Sequence, residues 1–124
     1  MKRDFSVVLK DYKGEVIQTD LKGKGEIKPV TLADISEQAL LLGKVKERMG
    51  QEQVGADVKR KRNILAKKIY RSVQRKEPCD VSAEEITTIK ELVGDIYLSD
   101  IVGAVCDELE EEKDAEAKKP EITP

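Results

Sequence analysis

The chain is expected to fold as an α+β, mainly α protein, with an N-terminal β-hairpin packed on three or four helices and a disordered acidic C-terminal tail. Three observations predict this. Apolar residues alternate at period two only in the stretch before Thr31, they recur at helical spacing from Leu32 onward, and they run out after Leu109.

The hairpin is expected over residues 4–20. Phe5, Val7 and Leu9 alternate, Asp11-Tyr12-Lys13-Gly14 supplies turn chemistry, and Val16 and Ile17 resume the pattern. A two-stranded hairpin is marginal in water, so it must rest on the helices. A short third strand over 26–30 follows the Lys22-Gly23-Lys24-Gly25 stretch, with Pro29 keeping it at an edge. That glycine–lysine stretch lacks the strand–GxxxxGK[ST]–helix frame of a phosphate loop and reads as a flexible turn.

Four helices are expected, over about 32–42, 58–76, 83–93 and 100–110. Thr31 with Asp34 resembles an N-cap for the first, whose inward positions are Leu32, Ile35, Ala39 and Leu42, ending at Gly43. Residues 44–57 carry Gly50, Gly55 and few apolar side chains, which predicts a mobile loop. The second helix shows an apolar stripe of Val58, Leu65, Ile69 and Val73, widened by Ile64 and Ala66, and stops before Pro78. Ser82-Ala83-Glu84-Glu85 is a capping box for the third, with Ile86, Ile89, Leu92 and Val93 inward and Gly94 placed as a left-handed C′ residue. Ser99 or Asp100 caps the fourth, with Ile101, Val102, Val105 and Leu109 inward. One domain is therefore expected over 1–109, and a disordered acidic tail over 110–124.

Composition narrows the function. Histidine is absent, which removes the usual general base and the commonest metal ligand. Paired carboxylates such as Glu84/Glu85 and Glu108/Glu112 read as ordinary exposed helix surface, so neither a catalytic residue nor a metal or cofactor site is expected, and the chain reads as non-enzymatic. Cys79 and Cys106 have no disulfide-like spacing. With no signal peptide and no apolar run of the ~20 residues that span a bilayer, free thiols in a cytoplasm and no membrane partner are expected.

The net charge of −2 hides a strong segregation. From Lys59 to Lys76 there are nine cations and no acid, whereas Asp107, Glu108 and Glu110 to Glu112 crowd the C-terminal end. Lys67, Lys68, Arg71 and Arg75 are the candidate partner-binding or nucleic-acid-binding residues, because a helix face of cations can neutralise phosphates. The competing reading is a solvated helix face balanced by Glu84, Glu85, Glu91 or the tail. Overall acidity and the scarcity of aromatics for stacking weigh against nucleic acid. A helix-turn-helix from the third and fourth helices would carry Asp100, Asp107 and Glu108 into the major groove, where phosphates repel them. Ile96, Tyr97, Leu98, Ile101 and Val102 form a dense apolar cluster that either fills the core or leaves a patch for a partner or for self-association.

The phrases Thr31-Leu32-Ala33-Asp34-Ile35, the run from Ser82 to Gly94, and Ile101-Val102-Gly103-Ala104-Val105 resemble small uncharacterised proteins of tailed bacteriophages and prophages, over most of residues 4–109. The architecture is more loosely similar to phage tail assembly chaperones, with no motif to carry over residue by residue. The resemblance implies a phage or prophage protein-interaction factor in the cytoplasm of the bacterial host, and the looser likeness implies an assembly chaperone. Its partner would be another protein, viral or host. A phage-encoded inhibitor or regulator of a host protein, acting through the acidic tail, and a nucleic-acid binder using the basic helix 58–76 are the alternatives.

Overall fold

A computed structural model describes residues 1–21 and 23–110. In chain order it contains β1 (Lys2–Arg3), β2 (Gln18–Thr19), β3 (Lys28–Pro29), α1 (Leu32–Leu42), α2 (Val45–Arg48), α3 (Ala56–Gln74), β4 (Cys79–Asp80), α4 (Ala83–Ile96) and α5 (Ser99–Glu110). The α+β, mainly helical class expected from the pattern is the one observed. The acidic tail from residue 111, and Lys22 of the glycine–lysine turn, lie outside the described residues.

The N-terminal region forms three mutually bonded segments. The Leu9 N–H donates to the Val30 carbonyl (2.9 Å), Val30 N–H to the Ile17 carbonyl (3.1 Å) and Ile17 N–H to the Leu9 carbonyl (3.0 Å). Each segment thus pairs with both others, and Leu9, Ile17 and Val30 all point into the core. The turn at Asp11 is held by its carboxylate, which accepts from the Lys13 and Glu15 amides, with Gly14 at φ 84°. The third strand is present as β3, antiparallel to β2 with Gln18 opposite Pro29.

This region packs onto the helices through the start of α1. Helix N-termini leave their first N–H groups without intrahelical partners. Here Leu32 N–H donates to the Val7 carbonyl (2.9 Å), Ala33 N–H to the Phe5 carbonyl (2.8 Å) and Asp34 N–H to the Thr31 hydroxyl (3.1 Å). The Asp34 carboxylate accepts from the Thr31 N–H in return, completing a capping box.

Several expectations require correction. α4 does not end at Gly94. It continues to Ile96, with Gly94 inside the helix rather than in the left-handed region, because Tyr97 in extended backbone ends it. The 44–57 stretch is not wholly a loop. It holds α2, whose first N–H is capped by the Asp95 carboxylate of α4 (Val45 N–H donating, 2.7 Å). On α1 Leu32 is inward as expected, but its inward partner near the C-terminal end is Leu40 (2 % exposed) and not Leu42, at 38 %. On α3, Val58 and Ile64 face outward while Leu65, Ala66 and Ile69 are buried. The helix also spans 56–74 rather than 58–76, since Lys76 takes a left-handed conformation.

One core results, built from Phe5, Leu9 and Val30, the inner faces of α1, α3, α4 and α5, and Val81. β1 pairs antiparallel with β4, placing Lys2 opposite Asp80 and Arg3 opposite Cys79. Arg3 is buried and donates through Nε to the Leu109 carbonyl, tying the C-terminal end of α5 to the first strand. No helix among the described residues is long and apolar enough to cross a membrane.

Candidate functional site

α3 presents Lys67, Lys68 and Arg71, and its C-cap adds Arg75, at the i, i+3/i+4 spacing that stacks side chains along a helix. The structure gathers all four around a single groove of about 570 Å³. β1 and β4 close its far side with Lys2, Cys79 and Asp80, and the turn after α3 adds Glu77 and Pro78. Lys2 is thereby a fifth cation at the site.

The charges do not cancel. Lys68 is held by Glu85, its Nζ 3.1 Å from Oε1, and Asp80 by the Met1 α-ammonium at 3.0 Å. That ammonium keeps the Asp80 carboxyl below its usual range. Burial pushes Glu85 upward, but the Ser82 N–H and the Lys68 ammonium outweigh it and leave its pKa lowered. Lys2, Lys67, Arg71 and Arg75 make no ion pair among the described residues, so four open cations face one open acid, Glu77.

The floor is partly apolar. Ile64, 52 % exposed, and Pro78 line it, and the buried Cys79 lies beneath. Burial raises the Cys79 thiol, against the pull of Lys68 and Ser72, so it is a poor nucleophile at neutral pH. Ser72 spends its hydroxyl on the Ile69 carbonyl at 2.8 Å. No set of three or more His, Cys, Asp or Glu side chains that could hold a metal occurs among the described residues. The groove thus sets cations beside a partly apolar floor.

The apolar cluster is placed differently. Ile96 ends α4, Tyr97 and Leu98 form the link, and Ile101 and Val102 begin α5. Ile96, Tyr97, Ile101 and Val102 are half-buried against the core, and Leu98 alone of the five stands clear at 80 % exposure. None of them lines the basic groove. Both cysteines are free thiols.

Two features escaped sequence reasoning. Lys2 reaches the groove through a pairing between strands some 77 residues apart, each two residues long, which leaves no local pattern to read. Ile64 lies beside Leu65 in an apolar run, and only the packing of α1 against α3 decides which of the two turns inward. No known family model, curated protein or solved structure matches the chain.

Proposed function

We propose that this chain is a non-enzymatic interaction protein whose basic groove holds an acidic, partly apolar segment of a partner protein. The convergence of Lys2, Lys67, Arg71 and Arg75, all without ion pairs among the described residues, around a floor containing Ile64 and Pro78 is the observation that carries this reading. Open cations at a rim supply steering and register, and the apolar floor supplies the burial that gives affinity. The setting proposed with it, a phage or prophage, rests on the resemblance of Thr31–Ile35, Ser82–Gly94 and Ile101–Val105 to small proteins of that origin. A tail or virion assembly chaperone would work here by occupancy, covering a sticky acidic segment until assembly replaces it.

A second reading, nucleic-acid binding, is favoured by the same four cations converging on one groove, Lys67, Arg71 and Arg75 from α3 and its C-cap and Lys2 from β1. The two separate by salt and by ligand. An amphipathic Glu/Leu peptide of about 16 residues and a DNA duplex of about 20 base pairs would each be titrated at about 50 and 200 mM salt. The protein reading expects micromolar peptide binding that weakens about tenfold or more in the Lys2→Gln, Lys67→Gln, Arg71→Gln, Arg75→Gln variant. Four neutralised phosphates would instead cost duplex binding about a hundredfold between the two salts. Tight duplex binding with that slope, and none to the peptide, would overturn the protein reading in favour of the second.

A further inference from the structure

A second groove, of about 370 Å³, runs between α1 and α3 on the other side of the Lys67–Arg71 ridge. Its α1 wall carries Glu37, and its α3 wall carries Lys67 and Arg71. Between them lies an apolar floor of Leu41, Ala66 and Tyr70, in which Leu41 is 61 % and Tyr70 54 % exposed. An open leucine and an open tyrosine side by side in one depression are more apolar surface than a solvated helix pair needs.

The two walls do not satisfy each other. Glu37 has no ion pair among the described residues and only Asp34 as a charged influence, so partial burial and that second acid raise its carboxyl to about 6. Lys67 and Arg71 likewise make no ion pair among the described residues. The groove therefore presents an acid on one side and cations on the other, separated by apolar side chains.

We propose that this groove pairs with the same groove of a second copy of the chain. A two-fold rotation through the Leu41–Tyr70 floor exchanges the walls, bringing Glu37 of each copy against Lys67 and Arg71 of the other and stacking the two floors. That is the self-complementarity an isologous interface requires. A purely acidic ligand would meet Glu37 and a purely basic one Lys67 and Arg71, whereas a second copy carries both signs in the reversed order. The patch is small beside the ~800 Å² per partner of a standard interface, so the dimer is weak and concentration-dependent. This inference does not rest on the peptide-binding reading, since Lys2 and Arg75 line the basic groove alone.

Sedimentation equilibrium of the full chain over about 5–500 μM tests it. The wild type is expected to shift from 13.9 kDa toward twice that mass. Glu37→Arg and Arg71→Glu should each weaken association about tenfold or more, and the double swap should restore part of it, because the two exchanged positions again carry opposite signs while Lys67 keeps its own. Leu41→Glu, at an exposed position, should abolish association with the helical circular dichroism unchanged, while Lys2→Gln with Arg75→Gln should leave it intact. A wild type that stays at 13.9 kDa throughout, or folded single variants that the double swap fails to rescue, would overturn the proposal.

Discussion

Lys76 closes α3 in a conformation that lysine disfavours. Its φ of 57° is the one positive value outside glycine among the described residues. There its N–H donates to the Val73 carbonyl (3.1 Å) and the Glu77 N–H to the Ser72 carbonyl (3.0 Å), the paired bonds of a Schellman ending. Glycine would adopt this geometry without the Cβ clash, so Lys76→Gly should raise the unfolding free energy by about 0.5–1 kcal/mol in urea titration. A loss of stability would mean that the Lys76 side chain contributes something the hydrogen bonds do not. Two carboxylates mark opposite ends of the charge problem. Glu47 receives both terminal nitrogens of Arg62, at 2.7 and 3.0 Å, with both side chains about nine-tenths covered. The Arg62 hydrogen bonds hold Glu47 below its ordinary pKa despite its burial. Its stabilisation is therefore present above the unfolded value of 4.5 and is lost as pH falls through the lowered folded value. Glu47→Gln leaves the Arg62 charge buried and should cost about 3 kcal/mol near neutral pH. Gly43 belongs to this arrangement, since a Cβ there would lie 2.6 Å from Glu47 Oε1 at a φ of 74°. Glu37 behaves in the opposite sense. With its folded pKa raised from 4.5 to about 6 by burial and by Asp34, the folded monomer binds its proton more tightly than the unfolded chain does. Stability is then lost as pH rises from about 4.5 through 6. Glu37→Gln, at concentrations too low for association, should remove that loss and raise the neutral-pH melting temperature. An unchanged pH profile would show that the carboxyl titrates alike in both states.

At the scale of elements, what could be read from the sequence was what is encoded locally. The capping boxes at Thr31/Asp34 and Ser82/Glu85 need only residues three apart, and both are present. The four candidate cations of α3 share one face because helical spacing alone puts them there. The register of the two-residue strands was not legible, since β1 finds β4 through the Arg3 bond to Leu109 and the burial of Cys79, which are tertiary facts. α2 was hidden for a similar reason. Its four residues carry no pattern, and it is held from outside by Asp95 and by the Glu47–Arg62 pair. Gly94 misled because glycine after Val93 satisfies a C′ signal, whereas the half-buried Ile96 two residues on gains enough packing against the core to carry the helix past it. Gly94 and Gly103 lie within α4 and α5, and a Cβ at either would meet nothing within 4 Å. Gly94→Ala should therefore stabilise the protein by about 0.5–1 kcal/mol in chemical denaturation, with the same for Gly103→Ala. If Gly94→Ala destabilised instead, that residue would have to leave helical backbone, as the sequence alone suggested.

At the scale of the whole molecule, the basic stretch of the sequence becomes, among the described residues, an open basic groove. Folding pairs off Arg62 with Glu47, Lys68 with Glu85 and Lys90 with Glu110. It leaves Lys2, Lys67, Arg71 and Arg75 clustered and without ion pairs among the described residues. Like charges held within one groove repel, and the unfolded chain relieves that repulsion by spreading them apart, so the cluster opposes folding. Cations held for a ligand must accept this repulsion until the ligand arrives. The Lys2→Gln, Lys67→Gln, Arg71→Gln, Arg75→Gln variant should therefore be more stable than the wild type at about 20 mM salt, by about 1 kcal/mol, with the difference shrinking toward zero near 500 mM as screening shortens to a few ångströms. Thermal melts of both proteins across that salt series read the effect directly. If the variant is instead less stable by the same margin at every salt concentration, the four side chains contribute through the packing of their stems, and the groove loses its electrostatic claim to be a binding site.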